Sequence, residues 1–135
     1  YELIGLDINP KAIDKGIKTF KILKNTKFLI GEGSEKLKEI NQGSVDLIYT
    51  TSVLRHISPY SFGKVLTQFS RIKPRFIITL EDEASYTYRD FPHNYRKKFA
   101  DLGWKLLLSD YAIDKKTKLY KSHGLGTVLR VYSQI

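Results

Sequence analysis

The chain has 135 residues, and 41% of them are hydrophobic, which suits one domain with a buried core and argues against a disordered chain. It contains no cysteine, so disulfides and thiolate metal sites are excluded. The formal charge of +9 favours an anionic partner, but lysine spread along the chain is equally typical of a solvated surface. No apolar run approaches the ~20 residues of a membrane span and no signal-peptide pattern is present, so we expect a cytoplasmic protein without membrane contact.

The chain begins with a strand followed by a helix. Residues Glu2–Ile8 have the pattern of a short buried strand, and Asn9-Pro10 starts a helix with proline in its first turn. Ile13, Ile17 and Phe20 recur at helical spacing and are expected to pack this helix on a sheet. The same spacing predicts a row of lysines along the outer side of this helix: Lys11, Lys15, Lys18, Lys21, Lys24 and Lys27.

A second strand–helix unit follows at once. Lys27–Ile30 is predicted to be a brief strand that closes at Gly31-Glu32-Gly33. Ser34 is expected to cap a short helix that runs through Leu37 to Asn41.

The middle of the chain predicts a strand, a helix and another strand. Val45–Thr50 is the third strand, Ser58-Pro59 starts a helix, and Arg75–Leu80 is the fourth strand. The inward stripe of the helix is predicted to be Phe62, Val65, Leu66 and Phe69. The acidic run Glu81-Asp82-Glu83 has no histidine nearby, so a solvated loop is favoured there over a metal site.

The last part of the chain predicts a loop, a helix and two strands. Ala84–Pro92 has no apolar period, and Asn94–Leu102 has the pattern of a helix stopped by Gly103. Trp104–Ile113 and Thr127–Ile135 are strands whose short polar connection implies an antiparallel pair. The whole of residues 1–135 is therefore interpreted as one α/β domain. The predicted architecture is a Rossmann-like α/β/α sandwich with a mostly parallel sheet and an antiparallel C-terminal hairpin.

Ligands of open parallel sheets bind beyond the carboxyl ends of the strands. An ionised carboxylate such as Asp7 offers only acceptors and suits a ribose diol, and the neighbouring Ile8 can press on a purine face. Glu32 can accept from an exocyclic amine, and Gly33 leaves its N–H approachable. An acidic residue after a strand is also typical of a helix cap, and Gly-Glu-Gly is an ordinary turn composition. Both explanations stay open for each residue.

Three segments in order resemble landmarks of the class I S-adenosylmethionine (SAM)-dependent methyltransferases. They are Gly5–Pro10, then Gly31–Gly33, then Val45–Ile48 followed by Val53–Ile57. The resemblance covers nearly all of the chain, and the turn from helix into strand within Phe99–Leu108 is also similar to that family. The order and spacing of the motifs are more specific than any one of them.

The resemblance implies contacts with the nucleoside end of SAM. Asp7 binds the ribose hydroxyls, and Ile8 packs on the adenine. Glu32 or the Gly33 N–H reads the adenine edge.

The resemblance also implies contacts near the reacting methyl group. Thr50 and Thr51 lie beside the methionine part, and Val53–Ile57 starts the wall between cofactor and acceptor. Where the acceptor carries a proton a general base is required, and the candidates by residue type are His56 and His93. A histidine near a helix start is also typical of a structural role.

One departure from the family concerns the start of the sequence. The glycine-rich loop that follows the family's first strand has no counterpart after Tyr1. We expect this sequence to be a fragment of a longer natural chain, or another copy or partner to supply the missing strand. A single sheet with Glu2–Ile8 paired directly to Val45–Thr50 would contradict that expectation.

The expected function is methyl transfer from SAM to a small-molecule acceptor. A nucleic-acid acceptor is an alternative, because aromatic and basic residues of the kind that bind nucleic acid are clustered in one segment. They are Tyr86, Tyr88, Arg89, Tyr95, Arg96, Lys97 and Lys98. A second alternative is a binding module that keeps the fold and has lost catalysis. A third is a nicotinamide-dependent oxidoreductase, which the terminal antiparallel hairpin disfavours.

Overall fold

The computed structural model describes residues 2–83, 87–111 and 127–134. The chain divides into two compact units, Tyr1–Ile40 and Asn41–Ile135. Within the described ranges, no helix has both the length and the apolar character needed to cross a membrane.

Two parallel strands form the sheet of the first unit. β1 (Ile4–Asp7) pairs with β2 (Lys27–Ile30), and Asp7 lies opposite Ile30 at the carboxyl ends. The second strand has the predicted bounds. The prediction that the first strand is buried was wrong, since Leu6 remains exposed. In its sheet β1 has one strand neighbour, β2, so burial is less than a central strand would receive.

The first helix begins where the sequence predicts and ends earlier. In α1 (Pro10–Thr19) the proline occupies the first turn, and the Asn9 side chain accepts from the N–H groups of Lys11 and Ala12 at 3.0 and 3.4 Å. Ile13 is buried as expected.

Two expectations for this helix were wrong because α1 stops at Thr19. Phe20 is its C-terminal cap and is 59% exposed rather than packed on the sheet. The predicted row of lysines also extends beyond the end of α1 at Thr19. Lys21 and Lys24 belong to a 3₁₀-helix, and Lys27 begins β2.

A short helix follows β2. α2 (Gly33–Lys36) leads into a 3₁₀ turn at Leu37–Glu39. Glu32, and not Ser34, is the N-cap residue, and Ser34 lies inside the helix with its side chain buried. The Ser34 hydroxyl instead donates back to the Glu32 carboxylate.

The second unit contains a mixed sheet in the order β3-β4-β6-β5. Its strands are β3 (Leu47–Thr51), β4 (Phe76–Asp82), β5 (Lys105–Tyr111) and β6 (Thr127–Ser133). β3 and β4 are parallel, whereas β6 is antiparallel to both β4 and β5. The predicted antiparallel C-terminal pair is confirmed, and the segment between its strands lies outside the described residues.

Two helices supply the apolar core of this unit. α3 (Pro59–Ile72) begins at the N-cap Ser58, as predicted, and its predicted inward stripe is at most 3% exposed. α4 (Tyr95–Ala100) begins at the N-cap Asn94. Phe99 of α4 stacks on Tyr132 of β6 with ring centroids 4.4 Å apart, so α4 packs against the face of the sheet that carries Tyr132.

The acidic run after the fourth strand is part of that strand. β4 continues to Asp82, and its last two residues pair with Val128 and Thr127 of β6. Glu81 is fully buried and Asp82 is 7% exposed, so the prediction of a solvated loop was wrong. Strand pairing with a segment distant in the sequence decides their placement, and composition alone does not report such pairing.

The order of elements confirms the predicted α/β class. Strand–helix units with parallel pairs come first, and an antiparallel hairpin ends the chain. This arrangement is Rossmann-like, and it places the residues after β1, β2, β3 and β4 at carboxyl strand ends.

Candidate functional site

The first unit brings two predicted binding residues to one sheet edge. Asp7 ends β1 opposite Ile30, and Glu32 follows two residues beyond that partner. The Gly31 N–H donates to the Asp7 carbonyl at 3.0 Å, which extends the parallel ladder to this point. The side chains of Asp7, Ile8 and Glu32 are exposed, and Ile8 is 69% exposed. An acceptor, an apolar side chain and a second acceptor therefore share this edge.

Both carboxylates also have local partners. Asp7 Oδ1 accepts from the Asn9 N–H at 2.8 Å, and Glu32 accepts from the Ser34 hydroxyl. Because a carboxylate has about four acceptor positions, these turn contacts leave acceptor capacity for a ligand. The turn interpretation and the binding interpretation are thus compatible. Gly33 is the first residue of α2. The N–H groups in the first turn of a helix have no acceptor within the helix, so the Gly33 N–H can donate to a ligand.

The second unit places Thr50 and Thr51 at the carboxyl end of β3. Thr50 lies opposite Thr79 of β4, and its hydroxyl is buried without a partner among the described residues. Thr51 is exposed. Ser52 then adopts a left-handed backbone with φ of 51°, which turns the chain out of the strand. A buried hydroxyl that lacks a protein partner is a group that a bound ligand can satisfy.

Glu81 contacts the segment that follows this turn. Its Oε1 accepts from the Val53 N–H at 3.2 Å, and its Oε2 accepts from the Arg55 N–H at 3.3 Å. Between these donors Leu54 is 1% exposed. Because the sequence predicted a solvated loop at Glu81, no functional role was expected for this residue. The available signal was an acidic residue directly after an apolar strand.

Arg55 joins three parts of the second unit. Its Nη1 lies 3.4 Å from Asp82 Oδ2, and its Nε lies 3.1 Å from Asp90 Oδ1. Its carbonyl accepts from the Phe91 N–H at 2.6 Å. The segment after β3, the end of β4 and the loop around Asp90 are therefore held together by one side chain and its backbone. No spacing in the sequence relates these residues.

His56 lies at the edge of the same cluster, and its side chain is 48% exposed. Its Nδ1 is 3.1 Å from Asp90 Oδ1 and 3.1 Å from the Arg89 carbonyl. Both neighbours are acceptors, so they favour the tautomer with a proton on Nδ1 and leave Nε2 as the acceptor. The Arg55 Nε lies 3.4 Å from that Nε2. The hydrogen bond that orients the ring is the one to the Arg89 carbonyl, whereas Asp90 Oδ1 lies near Nδ1 without a hydrogen bond among the described residues.

His93, the other predicted base, has a different environment. It is 7% exposed, its ring stacks on Phe62 at a centroid distance of 3.9 Å, and its Nε2 lies 2.8 Å from the Ile57 carbonyl. Burial lowers the pKa of His93 below its ordinary value of 6.5, and the nearby Lys98 charge acts in the same direction. The catalytic role stays a prediction, and the geometry favours a neutral, packed imidazole.

The pKa of His93 is expected to make folding sensitive to mild acid. Because the folded protein binds this proton less readily than the unfolded chain, the stability that His93 contributes is present above about pH 6.5. It is lost as the pH falls toward the lower folded pKa. NMR titration of the imidazole resonances should give His93 a pKa below 6.5. His93→Gln should flatten the decline of unfolding free energy between about pH 7 and pH 5, and a pKa at or above 6.5 would contradict this expectation.

The aromatic and basic residues that supported a nucleic-acid acceptor have different environments in the structure. Tyr95 is fully buried, and burial raises the pKa of its phenol well above the usual range, with the Glu81 charge adding to the effect. Tyr86 lies outside the described residues. Tyr88 is 83% exposed, with the Arg89 guanidinium 4.9 Å from its ring centroid. Lys97, on the exposed side of α4, is paired with Asp101.

No known family profile matches the chain, and no curated protein matches its sequence. Solved structures do match, and three of them illustrate the similarity. A putative methyltransferase from Haloferax volcanii, solved with a methyltransferase activator, is 15% identical with a TM-score of 0.76, covering 98% of this chain and 71% of its own. A SAM-dependent methyltransferase from Archaeoglobus fulgidus is 13% identical with a TM-score of 0.70, covering 96% of this chain and 75% of its own.

The third structure is a magnesium protoporphyrin IX methyltransferase from Synechocystis with bound SAM. It is 13% identical with a TM-score of 0.68, and the match covers 99% of this chain and 60% of the enzyme. At these identities the similarity is one of fold. The chain has the class I SAM-dependent methyltransferase fold, which confirms the fold implied by its sequence resemblance.

Proposed function

We propose that this protein is a SAM-dependent methyltransferase that acts on a small-molecule acceptor. The observation that carries the proposal is the pair of acidic residues at one sheet edge. Asp7 ends β1 and Glu32 follows β2, in a fold shared with a SAM-bound enzyme. Fold alone does not assign activity, so the chemistry of these side chains is the decisive support.

The residues of the first unit fit the nucleoside part of SAM. Asp7 is exposed and has acceptor capacity beyond its bond to the Asn9 N–H, so it can accept from two ribose hydroxyls. Ile8 offers exposed apolar surface for the adenine ring. Glu32 or the N–H of Gly33 would bind the adenine edge.

The residues of the second unit fit the reacting end. Thr50 has a buried hydroxyl without a partner among the described residues, and Thr51 is exposed beside it. Val53–Ile57 would form the wall between cofactor and acceptor. When bound, SAM supplies a methyl group that its sulfonium already activates. The protein's own contribution is therefore to place the acceptor in line and to remove a proton where the acceptor carries one.

His56 is the residue we assign to proton removal. Its Nδ1 contacts the Arg89 carbonyl and the Asp90 carboxylate, each at 3.1 Å. Its Nε2 accepts from the Arg55 Nε at 3.4 Å, so proton removal would require an acceptor hydroxyl or amine to replace Arg55 at this nitrogen. The Arg89 carbonyl would hold the ring orientation, and the nearby Asp90 carboxylate would stabilise the imidazolium that results. His93 is the weaker candidate, because its ring is buried against Phe62.

A small-molecule acceptor is favoured over nucleic acid. Tyr95 is buried and cannot stack on a base, and Lys97 is engaged by Asp101. One similar enzyme is named for magnesium protoporphyrin IX, which is a small molecule. The cysteine-free sequence suits a reducing compartment, in keeping with a cytoplasmic location.

Calorimetric titration with SAM, S-adenosylhomocysteine and NADH tests the proposal. We expect saturable binding of the first two ligands and no binding of NADH. Binding of NADH alone would support the oxidoreductase. A folded protein that binds none of the three would support a module that has lost catalysis.

A further inference from the structure

Glu81 is a buried carboxylate to which no contact with SAM or with the acceptor has been assigned. It is fully buried near the end of β4, where an ionised carboxylate is costly unless hydrogen bonds compensate it. Its two oxygens accept separately from the N–H groups of Val53 and Arg55, at 3.2 and 3.3 Å. Both carboxylate oxygens are thus directed at the backbone of a neighbouring segment.

The backbone that Glu81 contacts is the start of a 3₁₀ turn. The last bond of the strand ladder runs from the Ser52 N–H to the Leu80 carbonyl at 2.9 Å. The 3₁₀ turn Leu54–His56 follows, and it has no capping bond from a side chain of its own segment. The first N–H groups of such a turn lack partners within the turn. Glu81 supplies those partners from the adjacent strand.

The held segment also contains an unfavourable backbone conformation. Ser52, a non-glycine residue, has φ of 51°, and such conformations persist where the surroundings fix them. The ladder bond fixes Ser52 on one side, and the two bonds to Glu81 fix the residues that follow. These three hydrogen bonds therefore tie the segment that follows β3 to β4.

We propose that Glu81 is a positioning residue that holds the segment Ser52–Arg55 beside Thr50 and Thr51 for SAM binding. The functional part of this inference rests on the proposed function, since Val53–Arg55 belong to the segment Val53–Ile57 that is assigned as the wall between cofactor and acceptor. The structural part rests on the two hydrogen bonds alone. Glu81 itself is not expected to contact SAM.

Glu81→Gln is the variant that tests the inference, with Thr79→Val as the matched control. Glutamine keeps the size of the side chain but has a single acceptor oxygen, so its amide group would face one backbone N–H. Thr79 is 1% exposed on the same strand, and its hydroxyl has no partner among the described residues. The control therefore alters a buried polar group without altering the held segment.

Amide hydrogen exchange measures the structural part. In the unmodified protein the Val53 and Arg55 amides should be protected from exchange. In Glu81→Gln they should exchange about tenfold faster or more, while the Ile78 amide in β4 is unchanged. Thr79→Val should leave both sites unchanged. Unprotected Val53 and Arg55 amides in the unmodified protein would overturn the inference even if the variant fails to fold.

SAM titration of the same proteins, under conditions where all are folded, measures the functional part. Glu81→Gln should weaken SAM binding by about tenfold, and Thr79→Val should not. Faster local exchange with unchanged SAM affinity would overturn the positioning role and leave a purely structural one. If the unmodified protein binds no SAM, the proposed function fails and the positioning role fails with it, while the exchange data still decide whether Glu81 holds the segment.

Discussion

Replacing Asp7 with alanine is expected to weaken binding of SAM and of S-adenosylhomocysteine by about 100-fold. The variant removes two charge-assisted hydrogen bonds to the ribose, and each contributes about 1.5 kcal/mol or more. Calorimetric titration gives the two dissociation constants. The change should be nearly equal for both ligands, because they share the ribose.

Two further variants separate this role from the turn contact of Asp7. Asp7→Asn keeps an oxygen for the Asn9 N–H, so it should preserve the helix start while still weakening binding. Asp14→Ala removes another exposed carboxylate of the first unit and should leave both affinities unchanged. Unaltered SAM affinity in Asp7→Ala would mean that the carboxylate is only a turn former. An equal loss in Asp14→Ala would point to a general charge effect.

Replacing Phe62 with alanine is expected to have the largest effect on stability. Phe62 is 1% exposed, stacks on His93 and meets the edge of Tyr95 at a centroid distance of 5.6 Å. Removing a buried phenylalanine costs about 3–5 kcal/mol of unfolding free energy, partly because a cavity remains. That is a large share of the stability of a typical domain.

Urea unfolding followed by fluorescence measures this effect in the second unit. Trp104 is the only tryptophan and is 3% exposed in that unit, so its emission reports the relevant transition. The adjacent Gly63→Ala is the control. A Cβ there would meet no atom within 4 Å, and alanine in a helix should raise stability by about 0.5–1 kcal/mol. A loss below about 1 kcal/mol for Phe62→Ala would contradict the packing described for α3.

The sequence predicted the elements whose signal is local. α3 combined a capping serine, a proline in the first turn and an apolar stripe, and all of these agree with the structure. The start of α1 at Asn9-Pro10 was predictable for the same reason. The end of α1 at Thr19 was not predictable. The lysines keep their helical spacing beyond Thr19 as far as Lys27 in β2, so they do not indicate where the helix ends.

Sequence patterns did not predict the positions of the buried polar residues. Glu81 and Asp82 looked like a loop, and only pairing with β6 places them inside a strand. Arg55 and Asp90 lie far apart in the chain and meet through tertiary packing. The candidate binding residues at the ends of β1 and β2 were predictable, because the carboxyl ends of parallel strands share one edge.

Titration of the protein with S-adenosylhomocysteine, followed by NMR, shows directly whether the fold binds this cofactor. We expect saturable shifts of backbone amide resonances at three places: Asp7–Ile8, Glu32–Gly33 and Thr50–Val53. The absence of saturable shifts, or shifts confined to β5 and β6, would contradict the claim that this fold carries a SAM site.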